Sequence, residues 1–374
     1  MPDPKQFELS TPLGPDVLLF HKLEAHEALG RLSHFQIECF SEKTDLDLDA
    51  LLGKMASLSI ALPNEARRHL SGYITRFGHV GTEGRYQAYA MEVHPWPWFL
   101  TRTSDCRIFQ NKTVPEIVKE VFADHQGIAE HRDALGGNYR TREYCVQYRE
   151  TDFDFICRLL EDEGIYFFFE YERDKNVLVL ADTYGAHAPS PGLATLEFVD
   201  NFRAEREASD HVRDWRFERV VQPGKTRLID YDFTRPKLKL DASATEAHSH
   251  SESEHEVFDY PGNFEQQADG THYARARIDE LQAQYELARG KTNARALGVG
   301  QLFKLTGHAR RDQNREYLVT EARIFARAVG FEAQDKIAKE MGWLRELTEE
   351  EAEEEHRHIE ELNAACEEAL TEPP

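Results

Sequence analysis

Alternation of apolar and polar positions organises the first hundred residues. In HFQIECF, residues 34–40, Phe35, Ile37 and Cys39 fall on one face, and in ASLSIAL, residues 56–62, Leu58, Ile60 and Leu62 do the same. YQAYAMEV repeats the pattern with Tyr89, Met91 and Val93. A period of two, with turn residues at Pro63-Asn64 and at Gly81 to Gly84, predicts a meander of short strands that closes into a barrel-like unit.

The period changes after the aromatic segment PWPWFL, Pro95 to Leu100. Thr113 with Glu116 forms a capping box, Pro115 sits in the first turn, and Ile117, Val118, Val121 and Phe122 make an apolar stripe that Gly127 ends. A second helix begins at Thr151 and buries Phe155, Ile156, Leu159 and Leu160 before Gly164 stops it. The strings IYFFFEYE and VLVLAD flank Arg173 to Asn176 and read as a hairpin. From Phe202 strands return in WRFERVV and RLIDYDFT, where Ile229, Tyr231 and Phe233 share a face. The stretch Ala242 to Val257 reads as an exposed loop. A helix is expected through YARARIDELQAQYELARG to a stop at Gly290, then QLFKL and REYLVTEARI as closing strands with the turn at Arg310 to Arg315. The expected division is a first β-barrel-like unit at 1–100, an α+β insertion at 101–200, a second β-barrel-like unit with a helical excursion at 201–330, and an acidic helical tail at 331–374.

That tail rests on charge as much as on period. Residues 349–374 hold eleven Glu against one Arg, yet Ile359, Leu362, Cys366 and Leu370 keep helical spacing, and Thr348 with Glu351 is a capping box. The chain as a whole carries a formal charge of −23, which excludes a broad phosphate-binding surface and so nucleic acid as a partner. Its start, MPDPKQFELSTPLG, lacks the basic and apolar regions of a signal peptide, and no run is long enough for a membrane span. Cys39, Cys106, Cys145, Cys157 and Cys366 are odd in number and contain no CxxC pair, which suits reduced structural thiols.

Candidate chemistry is sparse. There is no nucleophile elbow, HExxH, phosphate loop or GxGxxG; Gly224-Lys225-Thr226 and Gly290-Lys291-Thr292 end like a phosphate loop but lack its first glycine. His248, His250 and His255, with Glu252, Glu254 and Glu256, are spaced closely enough to converge on a transition metal, but a polar Ser/Glu-rich loop seldom supplies the rigid frame a metal needs, and a solvated loop is the expectation. His356 and His358 are two apart on a predicted helix and point to different sides. Asp152 with Asp154, and Glu161 to Glu163, offer carboxylate pairs where helix caps and solvated faces would put them anyway. Trp96 and Trp98 offer a stacking platform or, as expected here, buried packing. No catalytic, cofactor-binding or metal residue and no cofactor is therefore expected, and the chain reads as non-enzymatic.

The strings PWPWFLTRTSDCRIFQNKTVPEIV, EYCVQYRETDFDFICRLLEDEGIYFFF, VFDYPGNF and YARARIDELQAQYELARGKTNARALGVGQLFKLTGHARRDQNREYLVTEA resemble the VgrG family of type VI secretion spike proteins, whose N-terminal half is similar to the baseplate hub of contractile phage tails. The resemblance runs from about Leu13 to Ala322. It implies a mainly β fold with an α+β insertion, two tube-like β-barrel units of the phage baseplate hub type, and a homotrimer whose pseudo-sixfold ring docks on a hexameric inner-tube protein. It also implies assembly in the cytoplasm and secretion by the type VI apparatus. Family members continue into an oligosaccharide-binding-type barrel and a Val-Gly-rich spike, neither of which follows Ala322, and the acidic helix has no counterpart in the pattern. That helix could recruit an effector or adaptor chaperone, could trimerise as a coiled coil, or could be a remnant without function. A contractile phage tail hub is the alternative reading of the whole. An effector domain would need more than the residues after the hub provide. Interface residues are not readable at this level.

Overall fold

Phe35, Ile37 and Cys39 on one strand and Tyr89, Met91 and Val93 on its neighbour are all buried, so alternation does place one face of a sheet in a core. The computed structural model describes residues 6–63, 66–200 and 209–328. Its first sheet is built from β1 (Phe7–Ser10), β2 (Leu19–Ala28), β3 (His34–Ser41), β4 (Met55–Ala61), β5 (Arg67–Glu83), β6 (Tyr86–His94) and β21 (Glu321–Arg327). Their order is β1-β4-β5-β6-β3-β2-β21. The sheet curls: Phe7 on β1 and Phe20 on β2 bring their ring centroids to 4.8 Å although four strands separate them in the order. Strong right-handed twist over long strands makes such curling the normal outcome, and it gives the apolar face an interior.

Residues Trp96–Arg102 form a 3-10 segment rather than an extended one. Beyond it come β7 (Ser104–Lys112), α1 (Val114–Ala123), β8 (His131–Ala134), β9 (Arg142–Thr151), α2 (Asp152–Asp162), β10 (Tyr166–Glu172) and β11 (Lys175–Ala181). The capping box forms as predicted: the Glu116 amide donates to Thr113 Oγ1 at 3.4 Å and the Thr113 amide donates to Glu116 Oε2 at 2.8 Å. Thr151 likewise accepts from the Asp154 amide at 3.0 Å. Helix α2 ends with the Ile165 amide bonded to Leu160 O at 2.8 Å and the Gly164 amide to Glu161 O at 3.2 Å, which requires the φ of +70° that Gly164 adopts. Both helices put their stripes into one core with Trp96, Phe109, Phe167 and Leu178. Trp96 is fully buried, donates from Nε1 to Glu130 O at 2.9 Å and meets Phe122 edge-on.

The third part contains β12 (Ala188–Pro189), β13 (Thr195–Phe198), β14 (His211–Arg219), β15 (Lys225–Asp230), β16 (Leu240–Thr245), β17 (Glu256–Asp259), α3 (Gln267–Gln282), β18 (Glu286–Thr292), β19 (Gln301–Thr306) and β20 (Glu316–Leu318). A mixed sheet runs β12-β19-β13-β14-β18 with β20 also on β19, and a small one runs β16-β15-β17 under α3. Mostly β architecture with curled sheets is thus what the chain forms.

Four readings from the sequence change here. The helix expected to reach Gly290 ends at Gln282, and Glu286–Thr292 pairs with β14; Gly290 lies in that strand, where a Cβ would come within 2.8 Å of the Trp215 ring. The strand through RLIDYDFT stops at Asp230, leaving Tyr231 and Phe233 exposed. Leu240–Thr245 takes Ala242 and Ala244 into a strand rather than a loop. REYLVTEARI divides into β20, in the second large sheet, and β21, which lies beside β2 in the first, with the Leu29 amide donating to Thr320 O at 2.9 Å. The acidic helix expected at 331–374 lies outside the described residues.

Candidate assembly surfaces

The β7–β9 pair is a two-stranded ribbon with one face in the core and one in solvent. Phe109, Cys145 and Gln147 point inward. Ile108 stands opposite Val146, Gln110 opposite Tyr144 and Cys106 opposite Tyr148, and all six are exposed, with Ile108 at 60% and Tyr148 at 64%. Side chains opposite one another in a ladder touch, so Ile108, Tyr144, Val146 and Tyr148 form one apolar patch on a rigid support. That support includes the buried Asp152, which accepts from Arg107 Nη2 at 2.8 Å and Gln147 Nε2 at 2.7 Å.

A second surface lies on the small sheet. β17 is its edge strand, and Val257, Phe258, Tyr260 and the nearby Tyr231 are exposed. Phe233, 82% exposed, projects from a turn organised by Asp232. The Asp232 carboxylate accepts from the Thr234 amide at 2.8 Å, the Thr234 hydroxyl at 2.5 Å and Arg235 Nε at 2.6 Å. Those bonds, the Thr234 hydroxyl first, hold its pKa down to about 2. Arg235 in turn donates from Nη2 to Glu265 O at 3.0 Å, which fixes the turn against the segment following β17.

The residues singled out by chemistry are dispersed among structural roles. His248 stacks on Tyr285 with centroids 3.4 Å apart and its Nε2 lies 2.7 Å from Gln282 Oε1; His250 stacks behind it, while His255 pairs with Glu252 at 3.0 Å and Glu256 with Lys225. Among the described residues no three His, Cys, Asp or Glu side chains converge as metal ligands. Asp154 accepts from the Thr151 hydroxyl at 2.7 Å at the start of α2, apart from the contacts of Asp152. Glu163 is buried, accepts from Arg142 Nη2 at 2.9 Å and from the Tyr273 hydroxyl at 3.3 Å, and so ties α2 to α3; Glu161 is exposed. The Gly224 and Gly290 segments are strand-flanking and strand residues, with a Cβ on Gly224 reaching 1.9 Å from Ser253 O. Trp98 stacks against His94 with centroids 5.6 Å apart and has the Arg102 guanidinium over its ring at 4.6 Å. Cys39 and Cys145 are buried, Cys157 is half-buried, and Cys106 is exposed on the ribbon. Burial pushes the Cys157 thiol up to about 12. His356, His358, Cys366 and the stripe Ile359, Leu362 and Leu370 lie outside the described residues. Sequence reasoning missed both exposed surfaces, although apolar residues on both alternations of EYCVQY, Tyr144 to Tyr148, were a legible signal for the first.

Among the described residues no helix is long and apolar enough to cross a membrane. Residues 26–330 match the family described as phage tail baseplate hub (GPD). The chain is 48% identical over 315 residues to the type VI secretion system spike protein VgrG1a of Pseudomonas aeruginosa, covering 84% of this chain and 49% of that protein. VgrG1b of the same organism is also 48% identical, with 84% and 42% covered. The chain therefore spans about half the length, or less, of these curated relatives. In structure it is similar to the Escherichia coli c3393 protein, a type VI secretion component with similarity to T4 tail proteins gp27 and gp5, at TM-score 0.62 and 20% identity over 86% of this chain and 73% of that one. It is also similar to the 43 kDa tail protein of prophage MuSo2 from Shewanella oneidensis, at TM-score 0.60 and 11% identity over 86% and 94%.

Proposed function

The chain belongs to the phage tail baseplate hub family, and from that membership we propose that it serves as the hub module of a type VI secretion spike. The observation that carries this is 48% identity over 84% of the chain to proteins named as such spikes. The proposed work is structural: three copies assemble so that the units at 1–100 and 201–330 alternate around a pseudo-sixfold ring seated on a hexameric inner tube, with the α+β insertion at 101–200 outside it. Among the described residues the second large sheet ends in β12 and β18 without a further strand, which supports this reading, since a strand edge left open invites pairing and ring closure removes it. No catalytic step enters the proposal. Assembly takes place in the cytoplasm and export through the type VI apparatus, and residues 331–374 are proposed to recruit an effector or its chaperone.

Light scattering at several concentrations tests the core of it. A mass near three times 43.2 kDa, together with co-sedimentation with assembled inner-tube protein, is the expected result. A monomer at every concentration that also fails to sediment with the tubes would overturn it. A hub of a contractile phage tail is the second reading, favoured by the prophage tail protein's shared fold. It predicts sedimentation with a phage tail tube and none with the type VI tube.

A further inference from the structure

We propose that the open edge of β17, with Tyr231, Phe233, Phe258 and Tyr260, is a docking site for an extended cationic segment of a partner protein. The inference concerns a surface the hub reading does not use and stands or falls independently of it.

Geometry supplies the first argument. Among the described residues β17 has a neighbour on one side only, the parallel β15. The Lys225 amide donates to His255 O at 3.2 Å, so His255 and Val257 direct their backbone groups toward β15. Because backbone direction alternates along a strand, Glu256 and Phe258 present their N–H and C=O groups to solvent, ready for an added strand. β17 carries neither Pro nor Lys, and the charges it does carry, Glu256 and Asp259, are acidic.

Contiguity of the aromatics is the second. The Gly262 amide donates to Ile229 O at 3.0 Å and the Phe264 amide to Asp230 Oδ2 at 3.1 Å, so the chain that follows Tyr260 runs beside the end of β15, from which Tyr231 continues. The Arg235 bond to Glu265 O sets the Phe233 turn against the same segment. Single exposed aromatics are ordinary, but four on bonded neighbouring segments, one of them on a turn whose backbone is already fixed, are anchors that lose little entropy on binding.

Charge decides the chemistry of the occupant. Of the cations around the sheet, Lys225 pairs with Glu256, Arg227 with Asp241 and Arg235 with Asp232, while Arg140 donates to Asn263 O at 3.0 Å and lies over the Tyr273 ring. Lys237 and Lys239 precede β16, on the far side of β15. On the β17 side, among the described residues, Glu254 and Asp259 have no cation within ion-pair distance. Open carboxylates beside exposed aromatic rings favour Lys or Arg side chains, through Coulomb attraction and through the ring faces.

The test titrates the full chain with a blocked peptide of alternating Val and Lys and with its Val-Glu counterpart, by calorimetry at low and at moderate salt. Expected are binding of the lysine peptide alone, weakening with salt, and a loss of about tenfold or more on Phe258→Pro, which removes an outward N–H at an edge position where proline is tolerated. Phe233→Ala, at a solvent-exposed turn position, is expected to lower affinity without changing the thermal midpoint, so the test survives if the proline variant unfolds. Equal binding of both peptides overturns the inference, as does unchanged affinity in Phe233→Ala. Self-association of the chain that disappears in Phe258→Pro, with no peptide bound, assigns the edge to a second copy and overturns it too.

Discussion

Arg68 on β5 and Glu27 on β2 form an ion pair of 2.7 Å inside the protein, and the same guanidinium donates to Leu297 O at 2.6 Å. One side chain thus ties two strands of the first sheet to the loop that leads into β19. Burial holds the Glu27 carboxyl above its usual range, against the pull of Arg68. Breaking such a pair from the cationic side leaves a buried carboxylate, so Arg68→Met is expected to destabilise by about 3–5 kcal/mol in urea denaturation, and Glu27→Gln by much less. The sign of the pH effect follows from the raised value. The unfolded chain releases the proton first, so wild-type stability relative to Glu27→Gln falls as pH rises from the unfolded value of 4.5 through the higher folded one, and is flat beyond it. A rise over that window would contradict the assignment.

Trp96 fills the floor of the helical core. Trp96→Ala is expected to cost about 3–5 kcal/mol, and Trp96→Phe less, mainly through the unpaired Glu130 carbonyl that would remain. Midpoint shifts at constant slope in denaturant would check both.

Gly164 combines a left-handed backbone with crowding: a Cβ there would sit 3.0 Å from Ala276 Cβ on α3. Gly164→Ala should therefore lower stability by about 1–3 kcal/mol. Hydrogen exchange should show the loss concentrated where α2 meets α3, and protection unchanged there would refute the coupling.

The capping box at α1 gives a smaller and cleaner case. Thr113→Ala is expected to cost about 1 kcal/mol. Hydrogen bonds from the Thr113 amide and hydroxyl hold the Glu116 carboxyl below its usual range, so its contribution is present above pH 4.5 and lost as pH falls through the lower folded value.

Thiol reactivity separates the cysteines by position. Cys106 on the open ribbon should label with a disulfide reagent at pH 8 in the native protein, while Cys39, Cys145 and Cys157 label only on unfolding. Site-resolved mass spectrometry would report it, and fast native labelling of Cys157 would contradict its packing.

The sequence was readable where local rules decide. Alternation located Phe35, Ile37 and Cys39 in the core, and the caps at Thr113 and Thr151 and the stop at Gly164 fixed both helices. It failed where partners decide. Glu286 to Thr292 contains good helix formers, and ladder pairing with β14 overrides them. Trp98, expected to be buried, is only half-buried, with its ring against His94 and the Arg102 guanidinium, contacts that spacing alone does not specify. Both exposed surfaces escaped because burial of one face of a ribbon says nothing about what covers the other; only the apolar residues on both alternations of Tyr144 to Tyr148 hinted at it.

The crossing of β21 into the first sheet has a consequence for the order in which the protein can be made. During synthesis, strands β1 to β6 leave the ribosome early, but the neighbour that completes the β2 edge emerges only with residues 321–327. Most of the chain must therefore be translated while that edge waits, a pairing between residues nearly three hundred positions apart. Pausing of synthesis before residue 321 would lengthen the exposure of β2, and a nascent chain held there should be the species most in need of a chaperone.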